Sequence, residues 1–184
     1  MRAPANGIHI EYETLGDRAA RPLLLIGGLA SQLINWDDGL CEHLANRGHY
    51  VIRFDNRDAG LSTKCDNARS YTLDDMADDA AGLLEVLGIG KAHICGTSMG
   101  GIIGQTVAIR HPSRVQSLIS IYSTTGNKDL PPPRPEVIGL LLAPPPSERD
   151  TRSKRHLLVP AFRHQGNPSR PSLSTVASTL CETL

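Results

Sequence analysis

The sequence predicts a three-layer αβα fold around a mainly parallel, doubly wound sheet, and three observations carry that expectation. Pro22-Leu23-Leu24-Leu25-Ile26 is continuous and apolar, as a strand covered on both faces must be. Strand-like runs alternate with helical stretches along the first two thirds of the chain, the rhythm of parallel strands joined by crossovers. At residues 93–109 an apolar strand runs through a Gly-x-Ser-x-Gly turn directly into a helix.

Taken in order, residues 7–13 alternate apolar and polar like a half-buried strand, with His9 on the solvated face. Gly16-Asp17 marks the next turn, and the strand near 22–27 ends in Gly27-Gly28-Leu29-Ala30. A helical stretch from near Trp36 to about Asn46 leads to a strand at 50–55. A polar loop through Asn56, Arg57, Asp58, Gly60 and Ser62 follows. The clearest helix spans 72–87. Thr72 caps it, with Asp75 three residues on in a capping-box arrangement. Leu73, Met76, Ala80, Leu83, Leu84 and Leu87 recur at helical spacing on one face, and Gly88 closes the helix. After the strand at 92–97 and its helix, Pro112 supplies a stop and 115–122 reads as a further strand.

The character changes beyond Thr125. Pro131-Pro132-Pro133, Pro135 and Pro144-Pro145-Pro146 punctuate one short apolar helix candidate at 136–142. From Thr151 the chain is rich in Arg, Ser, Thr and Pro, with Glu182 its only acidic residue. Periodicity leaves 156–162 open between a helical turn and a strand.

A length of 184 residues suits about one domain with a real core. Nineteen Lys and Arg balance nineteen Asp and Glu, so nothing points to nucleic acid or an anionic membrane surface. Cys41, Cys65, Cys95 and Cys181 fit no zinc or redox spacing, and no metal site is expected. Cys95, inside an apolar strand, reads as a small buried hydrophobe. Residues 1–7 lack an apolar signal-peptide stretch and no run approaches transmembrane length, so a reducing, cytoplasmic setting is the expectation.

Chemistry explains the layout around Ser98. A serine hydroxyl is a poor nucleophile and must stand clear of the backbone for a base to reach it. A tight strand-to-helix turn achieves this, and glycines on both flanks relieve the crowding. The same turn aims the Met99 N–H, at a helix N-terminus, towards a developing oxyanion.

These motifs, in this order, resemble the α/β-hydrolase family over residues 1–125, and within it single-domain bacterial esterases of the aclacinomycin-methylesterase type. Residues 23–30 match the strand and glycine loop of the oxyanion hole, although Gly27 stands where many relatives carry histidine. Asp55-Asn56-Arg57-Asp58-Ala59-Gly60-Leu61-Ser62 matches the loop after the fourth strand, and residues 96–101 match the nucleophile elbow. The resemblance implies Ser98 as nucleophile, the N–H groups of Met99 and Leu29 as oxyanion hole, and Gly28 as the point of close substrate approach. It implies a small carboxylic ester as substrate, cleaved by acyl transfer without a cofactor. Blander roles stand beside these: a plain strand-end turn at Gly27-Gly28, a packing anchor at Trp36, and loop ties at Arg57 and Asp58.

The family's chain order requires an acid and then a histidine after the serine. Asp129 stands where some relatives keep the acid, and His156 and His164 follow in the permitted order. His43, His49 and His111 belong to surface or helix-end contexts, and His93 begins the strand that carries Ser98, at the wrong end of the sheet. No late strand leading to Gly-Asp, and no late Gly-His loop, is recognisable. The fold therefore reads as truncated after the strand that follows the nucleophile helix. Residues 1–125 form the N-terminal part of the core, and 126–184 a Pro-rich segment and incomplete cap region. Weak or no esterase activity is expected of residues 1–184, with low solubility or self-association through the open sheet edge. The alternative from another class is a binding module that keeps the pocket and lacks the acid–histidine half.

Overall fold

The computed structural model describes residues 1–65, 70–127, 129–131, 134, 135 and 138. In chain order its strands are β1 (Arg2–Ala5), β2 (Ile8–Leu15), β3 (Arg21–Ile26), β4 (His49–Phe54), β5 (Ala92–Thr97) and β6 (Val115–Ile121). Its α-helices are α1 (Asp38–Asn46), α2 (Leu73–Val86) and α3 (Met99–Arg110). The strands form one sheet in the order β1-β2-β4-β3-β5-β6. The four expected strands, β3 to β6, pair in parallel, while β1 and β2 extend the sheet antiparallel beyond β4. The described residues through Thr125 make up one compact unit, and those from Gly126 belong to another.

The continuous apolar run of β3 is explained by its place between β4 and β5, with helices against both faces. Leu24 and Ile26 point to one side, where they join Ile52, Phe54 and Ile94 under Met76, Ala80, Leu83 and Leu84 of α2 and Ile103 and Val107 of α3. Leu23 and Leu25 point to the other, with Val51 and Cys95, beneath Trp36 and the α1 residues Cys41 and Leu44. Trp36 is thus a packing anchor. Burial pushes the Cys95 thiol up to about 12 and Cys41 to about 11, so both behave as inert small hydrophobes.

Local signals hold where they are strongest. Thr72 caps α2 and exchanges hydrogen bonds with Asp75 in a full capping box. At α1 the boundary shifts: a 3₁₀ turn at Leu33–Asn35 comes first, and the helix starts at Asp38 behind the Asp37 cap, not at Trp36.

His49 corrects the sequence expectation. The sequence places it in a surface or helix-end context, yet its side chain is wholly buried at the start of β4. The ring meets His93 edge-on with centroids 6.1 Å apart, Nε2 accepts from Arg21 at 3.4 Å, and Nδ1 finds no partner among the described residues. Burial, then the Arg21 charge, then His93 hold His49 below its ordinary pKa; burial and then Arg21 act likewise on His93. Both rings resist protonation in the fold, so the unfolded chain binds protons first as pH falls through about 6.5. The stability this contributes is present above that pH and lost below it. Urea midpoints are expected to fall between about pH 7.5 and about pH 5.5, and to fall less in His49→Gln. An equal fall in both proteins would remove His49 from the account.

Candidate active site

The site grows from the junction of β5 and α3. Ser98 lies between them at φ 54° and ψ −121°, exposed to solvent. Few non-glycine residues adopt such a backbone, and those that do gather at functional turns held in place by their surroundings. Here the restraint is visible. The Ser98 N–H donates to the Ile121 carbonyl at 3.0 Å, and the Ser98 carbonyl accepts from the Gly101 N–H at 2.9 Å and from Ser123 Oγ at 2.7 Å.

Glycines make the turn sterically feasible. A Cβ on Gly96 would lie 2.1 Å from the Gly100 carbonyl oxygen, and one on Gly100 would lie 2.2 Å from that of Ile26. The end of β3 approaches from the side. A Cβ on Gly28 would sit 3.2 Å from Ser98 Cβ and 3.7 Å from Ser98 Oγ, so the Gly28 backbone runs directly alongside the hydroxyl. Just past it the Ser31 N–H closes onto the Gly28 carbonyl at 3.2 Å, and Ala30 takes a positive φ of 56°. Leu29, within this tight turn, is 68% exposed. Met99 opens α3, whose first N–H groups have no partner within the helix.

The C-terminal ends of β3 and β5 therefore bring Ser98, Met99, Gly28 and Leu29 to one place. Asp129 lies in the other compact unit, where its N–H donates to Asn127 Oδ1 at 3.0 Å. His156 and His164 lie outside the described residues. Among the described histidines, His49 and His93 occupy the opposite edge of the sheet, where parallel strands begin. His111 pairs with Asp78 at 2.7 Å beyond the end of α3, and His9 and His43 are exposed. Among the described residues no histidine hydrogen-bonds to Ser98.

Arg57 and Asp58 bond within their own scaffold. Arg57 grips Asp79 of α2 through Nε at 2.6 Å and Nη2 at 2.7 Å, with its guanidinium 5.1 Å from the Tyr71 ring centre. The Cys65 N–H, then the Tyr71 hydroxyl, hold Asp58 below the usual carboxylate range, and that same bond pushes Tyr71 up to about 12. The sequence gives the two residues before them no role beyond membership of the same loop. Asp55 and Asn56 are 2% and 5% exposed at the end of β4. The signal available was a polar pair ending a strand whose neighbours are apolar.

Comparison with known proteins agrees with this architecture. A profile of the α/β hydrolase fold family matches residues 21–163, and the chain belongs to that family. Rhodomycin D methylesterase DnrP of Streptomyces peucetius is 43% identical over 107 residues, 58% of this chain and 36% of that protein. 3-Oxoadipate enol-lactonase 2 of Acinetobacter baylyi is 30% identical over 115 residues, 62% of this chain and 42% of that protein. Among solved structures, the enol-lactonase from Burkholderia xenovorans LB400 matches with a TM-score of 0.58 at 32% identity, covering 62% of this chain and 44% of that one. The chain thus matches less than half the length of each of these relatives.

Proposed function

We propose that this protein is a serine hydrolase of small carboxylic esters. The observation that carries the reading is Ser98, held at φ 54° between β5 and α3 with the Gly28 backbone alongside its hydroxyl. Ser98 Oγ attacks the ester carbonyl, and the oxyanion that forms is met by the N–H groups of Met99 and Leu29. Two backbone donors suit this task because they converge on one oxygen and bring no charge of their own; losing such a donor costs about 2.7–4 kcal/mol in the transition state. A histidine base takes the Oγ proton and passes it to the departing alcohol, and water then cleaves the acyl-serine to the acid and the free Ser98 hydroxyl, so no cofactor is needed. The similarity to a methylesterase and to enol-lactonases, whose names both denote cleavage of an ester bond, supports this substrate class. Within this chain Asp129 and either His156 or His164 are the candidates for acid and base. The first 125 residues act as the nucleophile-bearing core and the remainder as a cap region.

A fluorophosphonate probe is expected to label Ser98 in the intact protein and to leave Ser98→Ala unlabelled. A second reading, a binding module without turnover, is favoured by the lack of any histidine bonded to Ser98 among the described residues. Failure of the probe to label a folded wild-type protein would select that second reading.

A further inference from the structure

We propose that Asn56, with Asp55, is the positioning residue that holds the oxyanion loop against Ser98, a role that rests on the hydrolase reading above. The loop leaving β3 has to keep the Gly28 backbone beside the serine hydroxyl, and a glycine pair has no side chains of its own to anchor it. Asn56 supplies the anchor. Its Nδ2 donates to the Gly27 carbonyl at 3.0 Å from a site only 5% exposed. On its other side the same peptide lies against α3, since a Cβ on Gly100 would fall 2.7 Å from the Gly27 oxygen. The Gly27–Gly28 peptide is thereby clamped between an amide donor and the first turn of the nucleophile's helix.

Asp55 secures the far end of the same loop. One carboxylate oxygen accepts the Leu33 N–H at 2.6 Å and the other accepts the Leu61 N–H at 2.8 Å. Gly60 closes so tightly on this carboxylate, at φ 46°, that a Cβ there would overlap Oδ2 at 1.8 Å. The Asp55 backbone is gripped as well: its N–H donates to the Glu11 carbonyl at 2.9 Å, and its carbonyl accepts from Ser62 Oγ at 2.6 Å. Two consecutive buried polar residues at the tip of β4 thus fasten both ends of the segment that carries Gly28 and Leu29. Buried hydrogen bonds of this kind fix one geometry because the unpaired alternatives are costly. A donor that must meet an oxyanion within a few tenths of an ångström depends on such support.

The test uses Asn56→Asp, which keeps the shape and removes the donor, in the intact protein. Two quantities are read: amide hydrogen exchange across residues 27–33, and the rate of fluorophosphonate labelling at Ser98. Exchange in 27–33 is expected to rise about tenfold or more while β3 to β5 stay protected, and labelling to slow about tenfold or more. Should Asn56→Asp not fold, Asn56→Ala carries the same measurements without the added charge. Unchanged exchange in 27–33 would overturn the proposal, and so would faster exchange spread evenly over the domain, which marks a merely structural role. Labelling at the wild-type rate despite a loosened loop would overturn it too. Loop loosening together with a wild-type serine that never labels would uphold the anchor and sink the hydrolase reading instead.

Discussion

Gly100→Ala is expected to destabilise the protein by about 3 kcal/mol, at the upper end of what overpacking a tight site costs. The added Cβ would fall 2.2 Å from the Ile26 carbonyl oxygen and 2.7 Å from that of Gly27. Both are backbone atoms. Ile26 is the last residue of the central strand, hydrogen-bonded between β4 and β5, so no flexible side chain can move aside. Relief requires α3 to lift away from β3, which separates Ser98 from the Gly28 backbone. Labelling of Ser98 should therefore vanish along with the stability. Gly90→Ala is the control, because a Cβ there meets nothing within 4 Å. Its urea midpoint should correspond to a change within about 0.5 kcal/mol. A Gly100→Ala protein as stable as the control would mean that the elbow does not pack against β3 as described.

Asp79→Ala is expected to cost about 3–5 kcal/mol, the range for breaking a buried ion pair by removing one partner. The Arg57 and Asp79 side chains are 8% and 2% exposed, and they meet in a two-point contact. Asn6 Nδ2 adds a third bond to the carboxylate at 2.9 Å, which ties the turn between β1 and β2 to α2. Without the carboxylate, the Arg57 guanidinium keeps the Tyr71 ring and a weak bond of 3.4 Å to the Asp75 carbonyl, too little to replace water. The informative comparison is the double variant Arg57→Met with Asp79→Leu. Two apolar side chains of suitable size leave no orphaned charge, so the double variant should recover much of the loss. A double variant no more stable than Asp79→Ala would show that the contact stabilises through its shape and not through compensation of charge.

The elements legible in the sequence are those decided over a few residues of chain. Alternation in β2, the continuous run of β3 and the helical stripe of α2 each reflect which faces are covered, and side-chain periodicity repeats that answer within one or two turns. The Thr72–Asp75 box is local as well, since its hydrogen bonds join near neighbours; the Gly96-x-Ser98-x-Gly100 turn is legible as a motif, although Ile121, Ser123 and Ile26 hold it from a distance. That is why the parallel strands at the heart of the sheet and the place of Ser98 at its C-terminal edge could be expected from the chain alone, whereas the order of the strands could not.

Four features escaped for a common reason. β1 is a short run containing Pro4, and it becomes a strand only because β2 offers it an antiparallel edge. His49 looks like a polar residue at a strand entrance until Arg21 of β3 and His93 of β5 meet it in the fold. Asp55 and Asn56 take their importance from Gly27 and Leu33, brought near by the crossover from β3 to β4, and from Leu61 in the loop that follows β4. Arg57 and Asp79, 22 residues apart in the chain, show no pairing in their spacing. By itself the sequence determined the core strands and helices, and which turn presents the serine, because periodicity and the elbow motif are written within a few residues. Only the tertiary structure decided which polar side chains are buried, and what they hold, because hydrogen-bond partners for a buried group come from wherever the folded chain returns.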